Sequence, residues 1–296
     1  MSTPVQPSSP ALAAGSSPFK RPARVRQTGQ DRNSLALTIE IGGLPLRLFP
    51  PDAAFRAVLE ERYSSFVSRN ARAVMEFTLE SAPPGRTAGA EEDLQVLCKE
   101  GLWQISRGEF RAAFDLRTRQ GHLRFVPNPY SVDTLLRIVH SILLAPAGGL
   151  LLHASGGIRH GRGVLFSGAS GAGKTTMARL APRDVQLLTD EISYLRREGS
   201  SFRVYGTPFS GELGIQGEHV SAPLSAVYLI EHGSTNRLER VPEAEAVRRL
   251  MRNTLFFARE EHLVTQVFST VCGLVRQVPV WRLEFLPDAR VWEMIQ

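Results

Sequence analysis

The alternation of apolar and polar residues in the first half of the chain predicts short strands and two helices. Alternating apolar positions on both sides of Gly42-Gly43 predict a β-hairpin over Leu35–Leu48. Apolar residues at helical spacing predict helices over Pro51–Phe66 and over residues 131–143, where Ser131 is the expected N-cap. The strands predicted between them are Ala73–Leu79, Leu94–Lys99, Leu102–Arg107 and Phe110–Leu116, with a polar loop over Pro83–Glu92.

The second half interleaves apolar strands with helices. Its predicted strands are Val164–Phe166, Val185–Leu188, Ile192–Arg197, Phe202–Tyr205, Ala226–Ile230 and Val280–Phe285, and its predicted helices are Thr175–Leu180, Pro242–Phe257 and Glu260–Val275. This order is typical of an α/β layer. We therefore expect a small α+β domain over residues 35–150 and an α/β domain over residues 151–296.

Composition sets the N-terminal residues apart and excludes several classes of function. Residues 1–34 are rich in Pro and Ser and hold five basic residues and one acid, which predicts a disordered basic tail. Of the net charge of +6, about +4 lies in this tail, so the remaining body is nearly balanced and a nucleic-acid surface is not expected. Cys98 and Cys272 lack the spacing of a disulfide framework or a zinc site.

The chain shows no pattern of export or of membrane insertion. Its longest apolar stretch, Ile142–Leu152, is interrupted by Pro146 and two glycines and is too short to span a bilayer. No segment has the apolar core of a signal peptide. We expect a cytoplasmic protein with no membrane partner, and the sequence leaves open whether it forms a homo-oligomer.

The strongest chemical signal is a glycine-rich turn between a predicted strand and a predicted helix. It fits the phosphate-loop pattern G-x-x-x-x-G-K-[ST] and consists of Gly168, Ala169, Ser170, Gly171, Ala172, Gly173, Lys174 and Thr175. Backbone N–H groups in such a turn form a cradle for phosphate oxygens. Lys174 is expected to reach the β and γ phosphates of ATP, Thr175 to ligate Mg²⁺, and Thr176 to add a hydroxyl near the α phosphate.

Two acids follow the next predicted strand. Asp190-Glu191 lies only 16 residues after Lys174, which leaves room for one short helix and one strand. The acids are therefore expected to emerge close to the phosphate loop, where carboxylates can hold Mg²⁺ or accept a proton from an attacking hydroxyl. Farther along, Arg248 and Arg252 share a helix face; one of them could stabilise transition-state charge, although a solvated face is the more common role.

The stretch from about Leu151 to Ile230 resembles the C-terminal domain of the HPr kinase/phosphorylase family. The resemblance rests on Leu152-His153-Ala154-Ser155, on the phosphate loop, on Thr189-Asp190-Glu191 and on the segment Tyr205–Gly214, which reads YGTPFSGELG. It is greatest to the HPr-kinase-related proteins found beside peptide-modification genes, including those that phosphorylate lasso peptides. It implies a phosphoenolpyruvate-carboxykinase-like P-loop fold.

The resemblance also implies roles for individual residues. Asp190 matches the base that activates a hydroxyl, and His153 matches a histidine that precedes the loop strand. Thr175, Glu191 and Glu212 match the Mg²⁺ site. The bifunctional enzymes carry two Asp at the acidic pair and an Arg-Gly-Leu-Gly pattern where this chain has Gly211–Gly214. These differences argue against phosphorylase activity and against HPr as the substrate.

The sequence thus predicts an ATP- and Mg²⁺-dependent kinase that phosphorylates a Ser or Thr hydroxyl of a peptide or small protein. Two alternatives stay open. One is a nucleotide-binding switch or assembly protein without kinase activity, and the other is a kinase for a small metabolite.

Overall fold

A computed structural model describes residues 33–83 and 93–295 of the protein. Residues 1–32 of the predicted tail and residues 84–92 of the predicted polar loop lie outside the described residues. Within the described ranges the chain forms two mixed β-sheets flanked by helices. The protein is therefore a mixed α/β protein, as its sequence predicts.

The first sheet has seven strands in the order β1-β2-β3-β7-β6-β5-β4. Their bounds are β1 Leu37–Ile41, β2 Leu44–Phe49, β3 Met75–Ser81, β4 Gln95–Lys99, β5 Leu102–Arg107, β6 Phe110–Asp115 and β7 Gln120–Phe125. Strand β3 runs parallel to β2 and β7, and the other pairs are antiparallel. The predicted hairpin is β1–β2, and both of its turn glycines have positive φ. Strand β7 was not predicted.

Two helices accompany this sheet, and both begin at an identifiable cap. Helix α1 (Ala53–Arg62) is capped by Asp52, and it buries Phe55 and Leu59. Helix α2 (Pro129–Leu144) begins earlier than its apolar pattern suggests. The side chain of Asn128 accepts the Tyr130 N–H at 2.8 Å, so Asn128 and not Ser131 is the N-cap. Proline at the first helical position favours this early start because its missing N–H would have no partner there.

The second sheet has eight strands. They are β8 Gly149–Arg159, β9 Arg162–Ser167, β10 Val185–Thr189, β11 Ile192–Glu198, β12 Ser201–Tyr205, β13 Ser221–His232, β14 Arg237–Arg240 and β15 Val280–Phe285. The long strands β8 and β13 each change partners along their length, so β8, β9, β13, β12 and β11 pair in a closed ring. Strands β10 and β15–β14 extend the sheet beyond this ring.

Helices from both halves of the chain pack against β8. They are α2, α3 (Lys174–Arg179), α4 (Glu243–Asn253) and α5 (Glu261–Gln277). One hydrophobic cluster contains side chains of both sheets, and the chain from Leu35 onward forms a single compact unit. Among the described residues, no helix combines the length and the apolar character needed to cross a membrane.

The turn of the β1–β2 hairpin sits against the ring of Tyr194 in β11. Tyr194 is fully buried, and its hydroxyl lies 3.1 Å from Nδ1 of His140 on α2. A Cβ at Gly42 would lie 2.1 Å from a ring carbon of Tyr194. The Gly42 carbonyl also accepts a hydrogen bond from Arg196 at 2.5 Å. The first sheet is thus joined to the second by a contact that only glycine permits.

We expect Gly42→Ala to destabilise the protein more than Gly161→Ala does. Both glycines have positive φ, so both substitutions strain the backbone by about 1–2 kcal/mol. Only Gly42 faces a side chain, because nothing lies within 4 Å of a Cβ at Gly161. Overpacking should add about 1–3 kcal/mol to the loss at Gly42, measured as the unfolding free energy in urea. Equal losses for the two variants would contradict the packing of this turn on Tyr194.

Candidate phosphate-binding site

The glycine-rich loop connects the end of β9 to the start of α3, as predicted. Gly168 is buried, and a Cβ there would lie 2.9 Å from the carbonyl oxygen of Ile230. Gly173 is the N-cap of α3 in the left-handed conformation, with φ 104°. A Cβ at Gly173 would lie 2.6 Å from the ring of Phe285. Both glycines of the motif are therefore required by close packing, and the second also by its backbone angle.

Lys174 lies in the curve of this loop and not in solvent. Its ammonium donates hydrogen bonds to the carbonyl oxygens of Gly168 at 3.1 Å and Ala169 at 3.0 Å. The residue is only 8% exposed. Burial lowers the pKa of Lys174, while the carboxylates of Glu191 and Glu212 act in the opposite direction. The two acids therefore lie within electrostatic reach of the lysine that the sequence assigns to the phosphates.

The other loop residues differ in exposure. Ala169, Ser170 and Gly171 are exposed, whereas Ala172 and Gly173 are half-buried. Thr175 and Thr176 lie in the first turn of α3 and are partly exposed. The first N–H groups of a helix have no partner within the helix, and no side chain caps α3. The exposed side of the loop thus presents backbone and hydroxyl donors beside Lys174.

Two polar side chains outside the motif anchor the loop. Nε2 of His232, at the end of β13, lies 2.7 Å from the carbonyl oxygen of Gly171, and its ring stacks on Phe285. The amide of Asn253, at the end of α4, donates to the Ser167 hydroxyl at 3.0 Å. Sequence reasoning missed both residues. His232 and Asn253 belong to segments without a motif, and they lie 61 and 86 positions along the chain from the residues that they contact.

The acidic pair lies one strand away from the loop. Asp190 and Glu191 follow β10, and the backbone N–H of Ala154 in β8 donates to the Glu191 carbonyl at 3.0 Å. Ala154 pairs with Ser167 at the end of β9. The close approach that the short spacing predicts is therefore present, with β8 between the two elements.

The Asp190 carboxylate holds a neighbouring loop in place. It is 3% exposed, and its two oxygens accept the backbone N–H groups of Gly211 at 2.7 Å and Leu213 at 2.9 Å. These bonds fix the backbone on both sides of Glu212, whose own side chain is exposed. Each carboxylate oxygen has a second lone pair, so Asp190 can still accept a hydrogen bond from a further donor.

Arg137 of α2 completes the group, and the sequence analysis did not identify it. Its guanidinium pairs with Glu191 at 2.9 Å and lies 5.1 Å from the ring centre of Phe209. The pKa of His153 is lowered mainly by burial and further by the positive charges of Lys174 and Arg137. Lys174, His153, Glu191 and Glu212 are thus brought together as predicted, with Arg137 as an additional cation.

The residues predicted to hold Mg²⁺ fit a metal that arrives with a nucleotide. In the described ranges, no three His, Cys, Asp or Glu side chains are grouped closely enough to hold a metal ion. Mg²⁺ usually keeps several waters and needs only one or two carboxylates besides the phosphates. A hydroxyl from Thr175 with a carboxylate from Glu191 or Glu212 meets that requirement.

The basic residues of α4 are divided between two roles. Arg249 forms an ion pair with Glu231 at 2.5 Å, which ties α4 to the end of β13, and a second pair with Glu245 at 3.6 Å within α4. Arg248 and Arg252 are exposed. Their side of the helix faces solvent, which is the more common role that the sequence analysis names for such residues.

Comparison with known proteins identifies one family. A search of curated proteins gave no match. The family described as SynChlorMet cassette protein ScmC matches residues 130–296, which is more than half of the chain and includes α2 from its second residue, the phosphate loop and the acidic pair. The chain therefore belongs to the ScmC family of SynChlorMet cassette proteins.

Proposed function

We propose that this protein is a kinase that uses ATP and Mg²⁺ to phosphorylate a Ser or Thr hydroxyl of a peptide or small protein. The observation that carries the proposal is the buried Lys174 in its glycine-rich loop, within electrostatic reach of Glu191 and Glu212. A loop that only turned the chain would not need a lysine ammonium buried among carbonyl oxygens. Burying a charged group costs free energy unless hydrogen bonds or opposite charges compensate it. A buried ammonium in this loop therefore favours a role in binding phosphate.

In the proposed binding step, the triphosphate lies in the phosphate loop. Backbone N–H groups of residues 169–175 and the hydroxyls of Thr175 and Thr176 would surround the phosphates, and Lys174 would exchange its carbonyl partners for phosphate oxygens. Thr175 with Glu191 or Glu212 would hold Mg²⁺, which would supply positive charge to offset that of the phosphates. These assignments fit a phosphoenolpyruvate-carboxykinase-like P-loop fold, which we propose for the second sheet and its helices.

The transfer step needs little covalent participation by the protein. The acceptor hydroxyl oxygen attacks the γ phosphorus, the bond to the bridging oxygen breaks, and ADP leaves. Asp190 takes the hydroxyl proton. Positioning and charge neutralisation contribute most of the rate enhancement in such reactions. Burial, with the charges of Lys174 and Arg137, lowers the pKa of His153, so the imidazole that would lie near the phosphates is neutral at neutral pH.

The choice of a peptide acceptor rests on the resemblance to HPr-kinase-related proteins and on the additional sheet before the phosphate-loop region. A seven-stranded sheet gives the protein a second surface on which a peptide could be held. The family description also places its members in a cassette. We assign the reaction to the cytoplasm, and we expect neither a membrane nor a nucleic acid as partner.

Replacing Lys174 tests the nucleotide site. We expect Lys174→Ala to weaken ATP binding roughly 10- to 150-fold, since a hydrogen bond to a charged group contributes about 1.5–3 kcal/mol. Lys99→Ala is the matched control, because Lys99 is an exposed lysine at the end of β4 and far from the motif in sequence. Calorimetric titration with ATP and Mg²⁺ gives both affinities. Equal affinities in the wild type and Lys174→Ala would refute the phosphate-loop assignment.

Replacing Asp190 tests the transfer step. In Asp190→Asn one of the two loop N–H groups loses its acceptor, so we expect faster hydrogen exchange at Gly211 or Leu213. We further expect single-turnover transfer of labelled γ-phosphate to a Ser/Thr peptide to fall about 10²- to 10⁴-fold, while ATP still binds.

The control for this experiment is Asp184→Asn, which removes an exposed carboxylate that lies just before β10 and pairs with Arg159 of β8. It should transfer phosphate at the wild-type rate. Faster loop exchange with unchanged transfer in Asp190→Asn would limit Asp190 to a structural role. ATP hydrolysis by the wild type without any labelled peptide would support the switch or assembly alternative. Transfer of the label to a small metabolite would support the alternative of a small-metabolite kinase.

A further inference from the structure

Arg137 is held by two side chains beside the proposed nucleotide site. Its guanidinium donates to Glu191 Oε2 at 2.9 Å, and its cationic carbon lies 5.1 Å from the ring centre of Phe209. Its Nε is buried and has no hydrogen-bond partner among the described residues. The side chains of Arg137 and Glu191 are 24% and 33% exposed, so their ion pair is partly shielded from water. Interactions between such groups are screened less than those at the surface.

The charges around the phosphate loop are unfavourable for an anion without Arg137. The carboxylates of Glu191 and Glu212 act on Lys174, and the Asp190 carboxylate follows β10 directly before Glu191. Lys174 alone does not balance these three acids. An ATP molecule without metal carries about four negative charges, which a nearby unpaired carboxylate repels. Arg137 supplies the cation that faces Glu191.

We propose that Arg137 is a positioning residue that pairs with Glu191, and thereby lowers the repulsion that this carboxylate exerts on the triphosphate in the adjacent loop. The inference rests on the proposed nucleotide-binding function and deepens it. It assigns Arg137 an effect on nucleotide affinity that operates through Glu191 and not through direct contact with ATP.

The surroundings of Arg137 explain why arginine suits this position. A planar guanidinium can stack on Phe209 and pair with a carboxylate at the same time, which the ammonium of lysine does less well. The carbonyl of Phe209 accepts a hydrogen bond from the Thr189 hydroxyl at 3.3 Å, and that hydroxyl also accepts the Glu191 N–H at 3.1 Å. Phe209 and Glu191 are thereby fixed relative to each other, so one side chain from α2 can contact both.

A double-mutant cycle in the absence of metal tests the inference. ATP affinity is measured by calorimetry in EDTA at about 0.15 M salt for the wild type, Arg137→Gln, Glu191→Gln and the double variant. We expect Arg137→Gln to bind ATP more weakly, roughly 2- to 150-fold, because a charged carboxylate then stands unpaired beside the site. Glu191→Gln should bind at least as tightly as the wild type, and the double variant should return to near the wild-type affinity.

The control is Arg56→Gln, which removes a positive charge from a surface pair with Glu60 on α1 and should leave ATP affinity unchanged. Arg137→Lys keeps the charge, so it should bind ATP more tightly than Arg137→Gln and provides the test if the latter fails to fold. A double variant as weak as Arg137→Gln would overturn the inference, because the effect would then not pass through Glu191. ATP binding by the wild type with no change in Arg137→Gln would overturn it too. Wild-type binding of ATP only in the presence of Mg²⁺ would also overturn the inference, because Glu191 would then repel the free triphosphate despite its pairing with Arg137. Absence of ATP binding by the wild type both in EDTA and with Mg²⁺ would overturn the proposed function itself.

Discussion

The structure depends on one constraint, which is that strand β8 is almost completely buried and must bond to partners along both edges. Its first half pairs with β11, and its second half pairs with β9 and β10. Four helices contact it. A strand without exposed faces reads as a continuous apolar run, and Leu150, Leu151 and Leu152 are buried in succession. The same strand separates the phosphate loop from the acidic pair, so the distance between them is set by strand spacing.

Local signals in the sequence were sufficient to predict most elements and the loop itself. The hairpin at Gly42-Gly43 and the strands Ile192–Arg197, Phe202–Tyr205 and Val280–Phe285 follow from apolar runs and turn residues, and the structure confirms them. Strand β8 was not predicted, because its apolar run follows the proline and glycines that end α2 and has no alternation. Strand β14 was missed because it is four residues long and only partly buried.

The contacts within the site could be predicted only in part. The motif and the short spacing identify Lys174 and the acidic pair, because neighbours in sequence stay close when a single helix and strand intervene. His232, Asn253 and Arg137 reach the site through tertiary packing, and each belongs to a segment whose pattern describes only its own strand or helix. The two hydrogen bonds from backbone N–H groups to Asp190 could not be predicted either, since they depend on the path of a loop 21 to 23 residues farther along the chain.

The position of α2 bears on how this chain could be divided or recombined. The helix lies between the two sheets in sequence. Its residues Arg137 and His140 nevertheless contact Glu191 and Tyr194, which lie in or directly before β11 of the second sheet. The family match likewise begins at residue 130. A fragment that started with β8 would leave the Glu191 carboxylate and the Tyr194 ring without these partners. A fragment that keeps these contacts therefore has to include Asn128, the N-cap with which α2 starts.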